Sequence, residues 1–263
     1  MHLFDRDMTL RQIGDGKYAG RVSDHWSHRG IVNGGFLLAL AYKAMARQGR
    51  KHGCLVVTGN YSGKTSPGEL ELLVESVSST KNFDRFETRL LQESKECLRA
   101  FGTFSSRGGD TRELPGAENP EDLLPPEQCT PLPNPGNTRL FDTMDIRLDP
   151  RNTGWLSGNL SAEAVQRGWI AFREPREFDA PAIVMAADCF PPAVMEALGP
   201  AEWIPTVEYS VQVRSVPGVK ALSGMFRTRY VTGEMIEEDG VLRAPNGSLV
   251  ALSRQTALYR KKV

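Results

Sequence analysis

Apolar residues along the chain fall into two patterns, stretches where they close all round a helix and stretches where they alternate with polar ones. From Ala180 to Ala187 every residue is apolar, which predicts a buried helix continuing to Leu198. Asp179 stands before it as an N-cap, and Pro181 suits a first helical turn. A second such stretch, Phe36 to Arg47, follows Asn33-Gly34-Gly35 and ends on Arg47, Arg50 and Lys51, where the helix dipole favours cations. Alternation fills most of the remainder. Residues 8–22 predict a hairpin turning at Gly14-Asp15-Gly16. Cys54–Ser62, Glu69–Ser79, Phe83–Gln92 and Glu96–Ser106 predict a meander, punctuated by turn residues at 63–68, 81–82 and 93–95. Further along, Phe141–Leu148, Glu163–Phe172, Thr206–Arg214, Ala221–Thr232, Glu234–Arg243 and Ser248–Lys261 read as strands.

Between Gly108 and Asn137 the pattern disappears. Prolines 115, 120, 125, 126, 131, 133 and 135 break any regular element, so a surface linker is expected between units 1–107 and 138–263. The order of strands, helix and meander occurs on both sides of it, which predicts a duplicated α+β domain. Gly34-Gly35 falls against Ala180-Pro181, Val56–Ser62 against Thr206–Gln212, and Leu98–Ser105 against Val250–Ala257. The copies are chemically unequal: Asp188 falls against Ala41, give or take a residue.

Composition narrows the class. The chain has 32 Lys+Arg and 32 Asp+Glu, so no charge excess argues for nucleic acid or an anionic membrane. Four scattered cysteines without a CxxC pair favour reduced thiols in a cytoplasmic protein. Asp5, Arg6 and Asp7 stand where a signal peptide would be apolar, and the apolar runs Phe36–Tyr42 and Ala180–Ala187 are both too short to span a bilayer. His25 and His28 are three apart in a polar loop, with no acid or cysteine pattern to complete a metal site. A histidine pair in a surface loop is the simpler reading.

Asp188 is the first charge in its apolar helix, and Pro191-Pro192 just beyond it should kink or end the helix. A buried carboxylate without partners costs several kcal/mol, so Asp188 either caps a second helical segment or does chemistry. Gly34 and Gly35 allow close approach to a helix N-terminus, whose free N–H groups can hold an anion or a polarised carbonyl; tight helix packing is the plainer alternative. Cys189 has no histidine in its half of the chain to activate it.

Four ordered motifs, Asn33-Gly34-Gly35-Phe36, Ala186-Ala187-Asp188, Pro205-Thr206-Val207-Glu208-Tyr209-Ser210 and Leu252-Ser253-Arg254-Gln255, resemble the type II acyl-CoA thioesterase (TesB-like) family. The resemblance spans nearly the whole chain. It implies a double hotdog, two tandem repeats each with a long helix wrapped by an antiparallel sheet. It also implies an acyl-CoA substrate hydrolysed without a metal or redox cofactor. Carried over residue by residue, the family's water-activating set becomes Asp188, Thr206 and Gln255. Phe36, where relatives often carry a polar residue, and Pro191-Pro192 depart from the family pattern and bear on pocket shape.

The residue types suit the reaction. Thioester hydrolysis needs a base for the attacking water, groups that hold that water, and donors for the oxyanion. A carboxylate can be the base, and Thr and Gln can orient the water. Gly34 and Gly35 would meet the substrate. Strand parity puts Val207, Tyr209, Val211 and Val213 on one face and Thr206 on the other with Glu208, a rival base read as solvated. Gln255 shares parity with Ala251, Ala257 and Tyr259, which predicts a buried amide. Two other functions fit less well. One is an enoyl-CoA hydratase, which needs an Asp/His pair, whereas all four histidines lie in the first half. The other is a non-catalytic acyl-CoA or lipid-binding module. Exposed hotdog sheet edges predict a homo-oligomer.

Overall fold

A computed structural model describes residues 1–51, 53–106, 111–117, 122–134 and 136–261, so Pro120, Pro135 and His52 lie outside the described residues. Strands β1 (Leu10–Gly14) and β2 (Lys17–Val22) form the expected hairpin. Helix α1 (Gly34–Gln48) follows, started by Asn33, whose side chain accepts from the Phe36 N–H at 2.9 Å. Its residues from Gly35 to Tyr42 are all buried, as the all-round apolar pattern requires. The meander is β3 (Gly53–Tyr61), β4 (Gly68–Ser79), β5 (Asp84–Gln92) and β6 (Lys95–Ser105).

The second half repeats this order with β7 (Met144–Leu148), β8 (Val165–Phe172), α2 (Ala180–Ala186), α3 (Val194–Leu198), β9 (Thr206–Val213), β10 (Ala221–Arg227), β11 (Met235–Arg243) and β12 (Leu249–Leu258). These strands join in one antiparallel sheet in the order β1-β2-β4-β5-β6-β3-β9-β12-β11-β10-β8-β7. Outward from the β3–β9 seam, each strand of one half has its counterpart in the other: β3 with β9, β6 with β12, β5 with β11, and so to the edges. The seam pairs Val57 with Val211 and Gly59 with Tyr209, and Thr58 Oγ1 and Ser210 Oγ hydrogen-bond across it at 2.9 Å. Helices α1 and α2 pack against each other inside this curved sheet, and α1 lies on β3–β6. One apolar core therefore runs through both halves. The architecture is the α+β double hotdog.

Three segments differ from the pattern-based reading. Residues 141–143, expected as the start of a strand, belong to a helical turn, Leu140–Thr143, preceding β7. The proline-rich connector does not stay on the surface throughout. Thr130-Pro131 pairs with the edge strand β7, the Leu132 N–H donates to the Ile146 carbonyl at 2.8 Å, and Leu132 is buried. The most consequential difference is in the Ala180–Leu198 helix, expected to kink or end just past Asp188, which breaks earlier, after Ala186. A proline ring collides with the carbonyl four residues back, and Pro191 and Pro192 place those collisions at Ala187 and Asp188. The chain turns there instead, and the released Asp188 carbonyl accepts from Asn33 Nδ2 at 3.0 Å.

Candidate active site

The site forms where the N-terminus of α1 meets the end of α2, so one half of the chain supplies donors to an acid of the other. Asp188 Oδ2 accepts the Gly35 N–H at 2.7 Å and Asn33 Nδ2 at 3.0 Å. Its second oxygen, Oδ1, accepts from Gln255 Nε2 at 3.1 Å. Gln255 Nε2 also donates to Thr206 Oγ1, which leaves the threonine hydroxyl proton free to point elsewhere. Burial pushes the Asp188 carboxyl up to about 6, while the Gly35, Gln255 and Asn33 hydrogen bonds pull it down. The acid therefore remains largely a carboxylate at neutral pH and is a stronger base than an exposed aspartate.

Gly35 fits this crossing because it has no side chain. A Cβ there would lie 2.7 Å from Asp188 Cβ and 3.0 Å from the Met185 carbonyl oxygen. The two glycines have different surroundings. Gly34 borders the cavity, whereas Gly35 is buried, forms no part of the cavity wall and gives its N–H to Asp188. The expectation that both meet a substrate is corrected accordingly: Gly35 positions the acid. The Gly34 N–H, first in the helix, has no intrahelical acceptor. The Tyr61 hydroxyl donates to the Gly34 carbonyl at 2.8 Å and holds this turn against β3.

The parity argument for Thr206 is overturned by a β-bulge. Thr206 pairs with Ala257 and Glu208 with Thr256, so Val207 is the extra residue on β9. It is 41% exposed where alternation would bury it, and Thr206 turns onto the face of Tyr209 and Gln255. Without the bulge, Thr206 would point away from Asp188. Glu208, past the bulge, is exposed and forms no part of the cavity.

Asp188, Thr206, Gln255, Asn33 and Gly34 line a cavity of about 740 Å³ whose wall is drawn from both halves. Pro191 and Pro192 contribute to it, as their departure from the family pattern suggests. Phe36 does not; it is fully buried and stacks on Trp26 at a centroid distance of 5.0 Å. His28, expected in a surface loop, is half-buried in the cavity wall beside Thr138, with Nδ1 and Oγ1 2.5 Å apart. Cys189 is buried, and burial together with the Asp188 charge pushes its thiol well up, so it offers no thiolate. No group of His, Cys, Asp or Glu arranged to hold a metal ion occurs among the described residues.

Sequence reasoning did not single out Glu238. This β11 residue sits opposite Gln255 in the sheet, borders the cavity and is 8% exposed. Its signal was present in the alternation Ile236, Glu238, Gly240, Leu242, hidden by the flanking acids Glu237 and Asp239.

The duplicated unit has only one such site. Matching the N-caps Asn33 and Asp179 sets Gly35 against Pro181 and Asp188 against Tyr42, within the one-residue margin of Ala41. Pro181 has no N–H to give and tyrosine is no base, so the pseudo-symmetric position lacks both parts.

Comparison with known proteins agrees with the fold. A conserved hot dog protein from Alicyclobacillus acidocaldarius superposes with a TM-score of 0.89 at 21% identity, covering 100% of both chains. The acyl-CoA thioesterase II TesB2 of Mycobacterium marinum superposes with a TM-score of 0.76 at 16% identity, covering 98% of both. No functionally curated protein matches the sequence. The family model of the acyl-CoA thioesterase N-terminal domain matches residues 22–105, and that of the C-terminal domain matches residues 126–259. On these two matches in tandem, the chain belongs to the TesB-like, type II acyl-CoA thioesterase family.

Proposed function

We propose that this protein hydrolyses acyl-CoA thioesters to free acid and CoA, with Asp188 as the base that activates water. The observation that carries the reading is the shared network of Asp188, Gln255 and Thr206 on a cavity wall. Water gives one proton to Asp188 Oδ1 and accepts a hydrogen bond from the Thr206 hydroxyl, which leaves a lone pair for the thioester carbon. The amide of Gln255 keeps both partners in register. As the tetrahedral intermediate forms, its oxyanion takes the N–H of Gly34 at the positive end of α1. Collapse breaks the C–S bond, and the proton on Asp188 passes to the departing sulfur. Arg29 and Lys64 in the same wall supply positive charge for the phosphates of CoA. The buried, unpaired thiols of Cys97, Cys129 and Cys189 fit the cytoplasmic location that belongs to this reading.

A panel of acyl-CoAs assayed for thiol release tests this directly. Free thiol and free acid are expected in equal amounts. His28 in the same cavity as Asp188 gives the hydratase reading a foothold. Water addition to an enoyl-CoA without thiol release would select it, and binding without either reaction would leave a carrier. Gln255→Ala should lower kcat on the order of 10-fold to 10²-fold, because it loosens the water without removing the base. Combined with Asp188→Asn it should cost less than the product of the two single losses, since residues holding one water act as a unit. Full multiplicativity would separate Gln255 from the chemistry.

A further inference from the structure

Two carboxyls face the cavity, and the mechanism uses only one. Glu238 is the other, and among the described residues no third aspartate or glutamate lines the wall. Its Oε2 accepts the Ala193 N–H at 2.5 Å, which secures the turn after Pro191-Pro192. Among the described residues Oε1 has no hydrogen-bond partner. The residue is only 8% exposed and lines the cavity. The same wall includes the apolar residues Phe190, Pro191, Met195 and Phe226.

Glu238 also lies close to the reacting centre. It is directly opposite Gln255 on the adjacent antiparallel strand, so their Cβ atoms share one face about 5 Å apart. Gln255 in turn reaches Asp188. An acyl chain that ran from a carbonyl at Asp188 along this wall would pass Glu238 within its first few carbons.

An unsubstituted alkyl chain would cover Oε1 and leave a buried polar group unpaired. That penalty is the device by which sites select substrates carrying a matching hydroxyl over those lacking it. We infer that Glu238 is a specificity residue, and that the preferred acyl group carries a hydroxyl near the thioester that hydrogen-bonds to Glu238 Oε1. A hydroxyl suits either protonation state of the acid, because it can accept from a carboxylic acid or donate to a carboxylate. Burial pushes Glu238 up to about 8, with the Asp188 charge adding to the shift against the Ala193 hydrogen bond. The neutral acid, with Oε2 as its carbonyl oxygen, therefore presents an O–H to the cavity at neutral pH.

The inference rests on the proposed thioesterase reading for the ligand class, but its test does not require turnover. Asp188→Asn is titrated calorimetrically with butanoyl-CoA and with its 2-, 3- and 4-hydroxy derivatives, and wild type is assayed for thiol release from the same esters. One hydroxylated ester should bind at least 10-fold more tightly than butanoyl-CoA and show a matching gain in kcat/KM. Adding Glu238→Leu should abolish or reverse that preference, whereas Glu238→Gln, which can still accept from Ala193 and pair with a hydroxyl, should largely keep it. Equal binding of all four esters overturns the inference without need of any change at 238. A preference untouched by a folded Glu238→Leu variant overturns it as well. A Glu238-dependent preference without thiol release would uphold the binding role and count against hydrolysis instead.

Discussion

Asp188→Asn should reduce kcat about 10²-fold to 10⁴-fold, the range that a positioned general base contributes, in a protein that still folds. Asparagine can occupy the same space. Its oxygen can keep the Gly35 and Asn33 hydrogen bonds, and its amide can face Gln255 if that side chain turns its own oxygen inward. A purely structural cap at 188 would predict near-neutrality, since Asn caps as well as Asp. The pH dependence is a second readout. With Asp188 raised to about 6, kcat/KM should fall tenfold per unit below that pH and level off above it. The stability effect has the opposite sense. The folded state holds the Asp188 proton more tightly than an ordinary carboxyl at 3.8, so stability falls as pH rises from about 4 through about 6 and stays lower beyond. Asp188→Asn carries no such charge and should melt no lower than the parent at pH 8. Near-normal thioesterase activity in the folded variant would end the mechanism proposed here.

The fold was legible because its signals are local. Alternation within each strand and turn residues between strands located the meander, and the repeated element order disclosed the duplication before any contact was known. The features that were not legible depend on partners distant in sequence. Nothing in the β9 residues marks Val207 as a bulge, because a bulge exists only relative to the register with β12. Strand parity, applied faithfully, therefore put Thr206 on the wrong face. Pro191 and Pro192 did mark the end of the helix in the sequence, and only its place, after Ala186 rather than just past Asp188, was misread. The groups around Asp188 are the side chains of Asn33, Thr206 and Gln255 and the backbone N–H of Gly35. That constellation was approached through family resemblance rather than through spacing, because four segments separated by most of the chain converge on it. Glu238 shows a different failure. Three consecutive acids look solvated, yet alternation turns the middle one inward.

Gly35→Ala is the substitution for which geometry predicts a joint loss of stability and rate. The added methyl carbon would stand 2.7 Å from Asp188 Cβ and 3.0 Å from the Met185 carbonyl oxygen, the latter fixed backbone of α2. Either the helices separate or the Asp188 side chain moves, and overpacking of this kind costs about 1–3 kcal/mol. Displacing the base by about 1 Å is worth on the order of 10²-fold in rate, so kcat should fall by that much even at temperatures where the variant is fully folded. Destabilisation alone cannot produce the third effect. The Gly35 N–H hydrogen bond holds the Asp188 carboxyl down against its burial, so lengthening that bond should move the acid limb of the pH–rate profile upward from about 6. Gly34→Ala is the control. Its Cβ would press first on the Tyr61 ring at 3.2 Å, a side chain rather than backbone, and none of its three nearest atoms belongs to Asp188. The Gly34 variant should lose rate without moving the acid limb, and a Gly35→Ala variant with the parent's melting temperature, rate and pH profile would return Gly35 to ordinary helix packing.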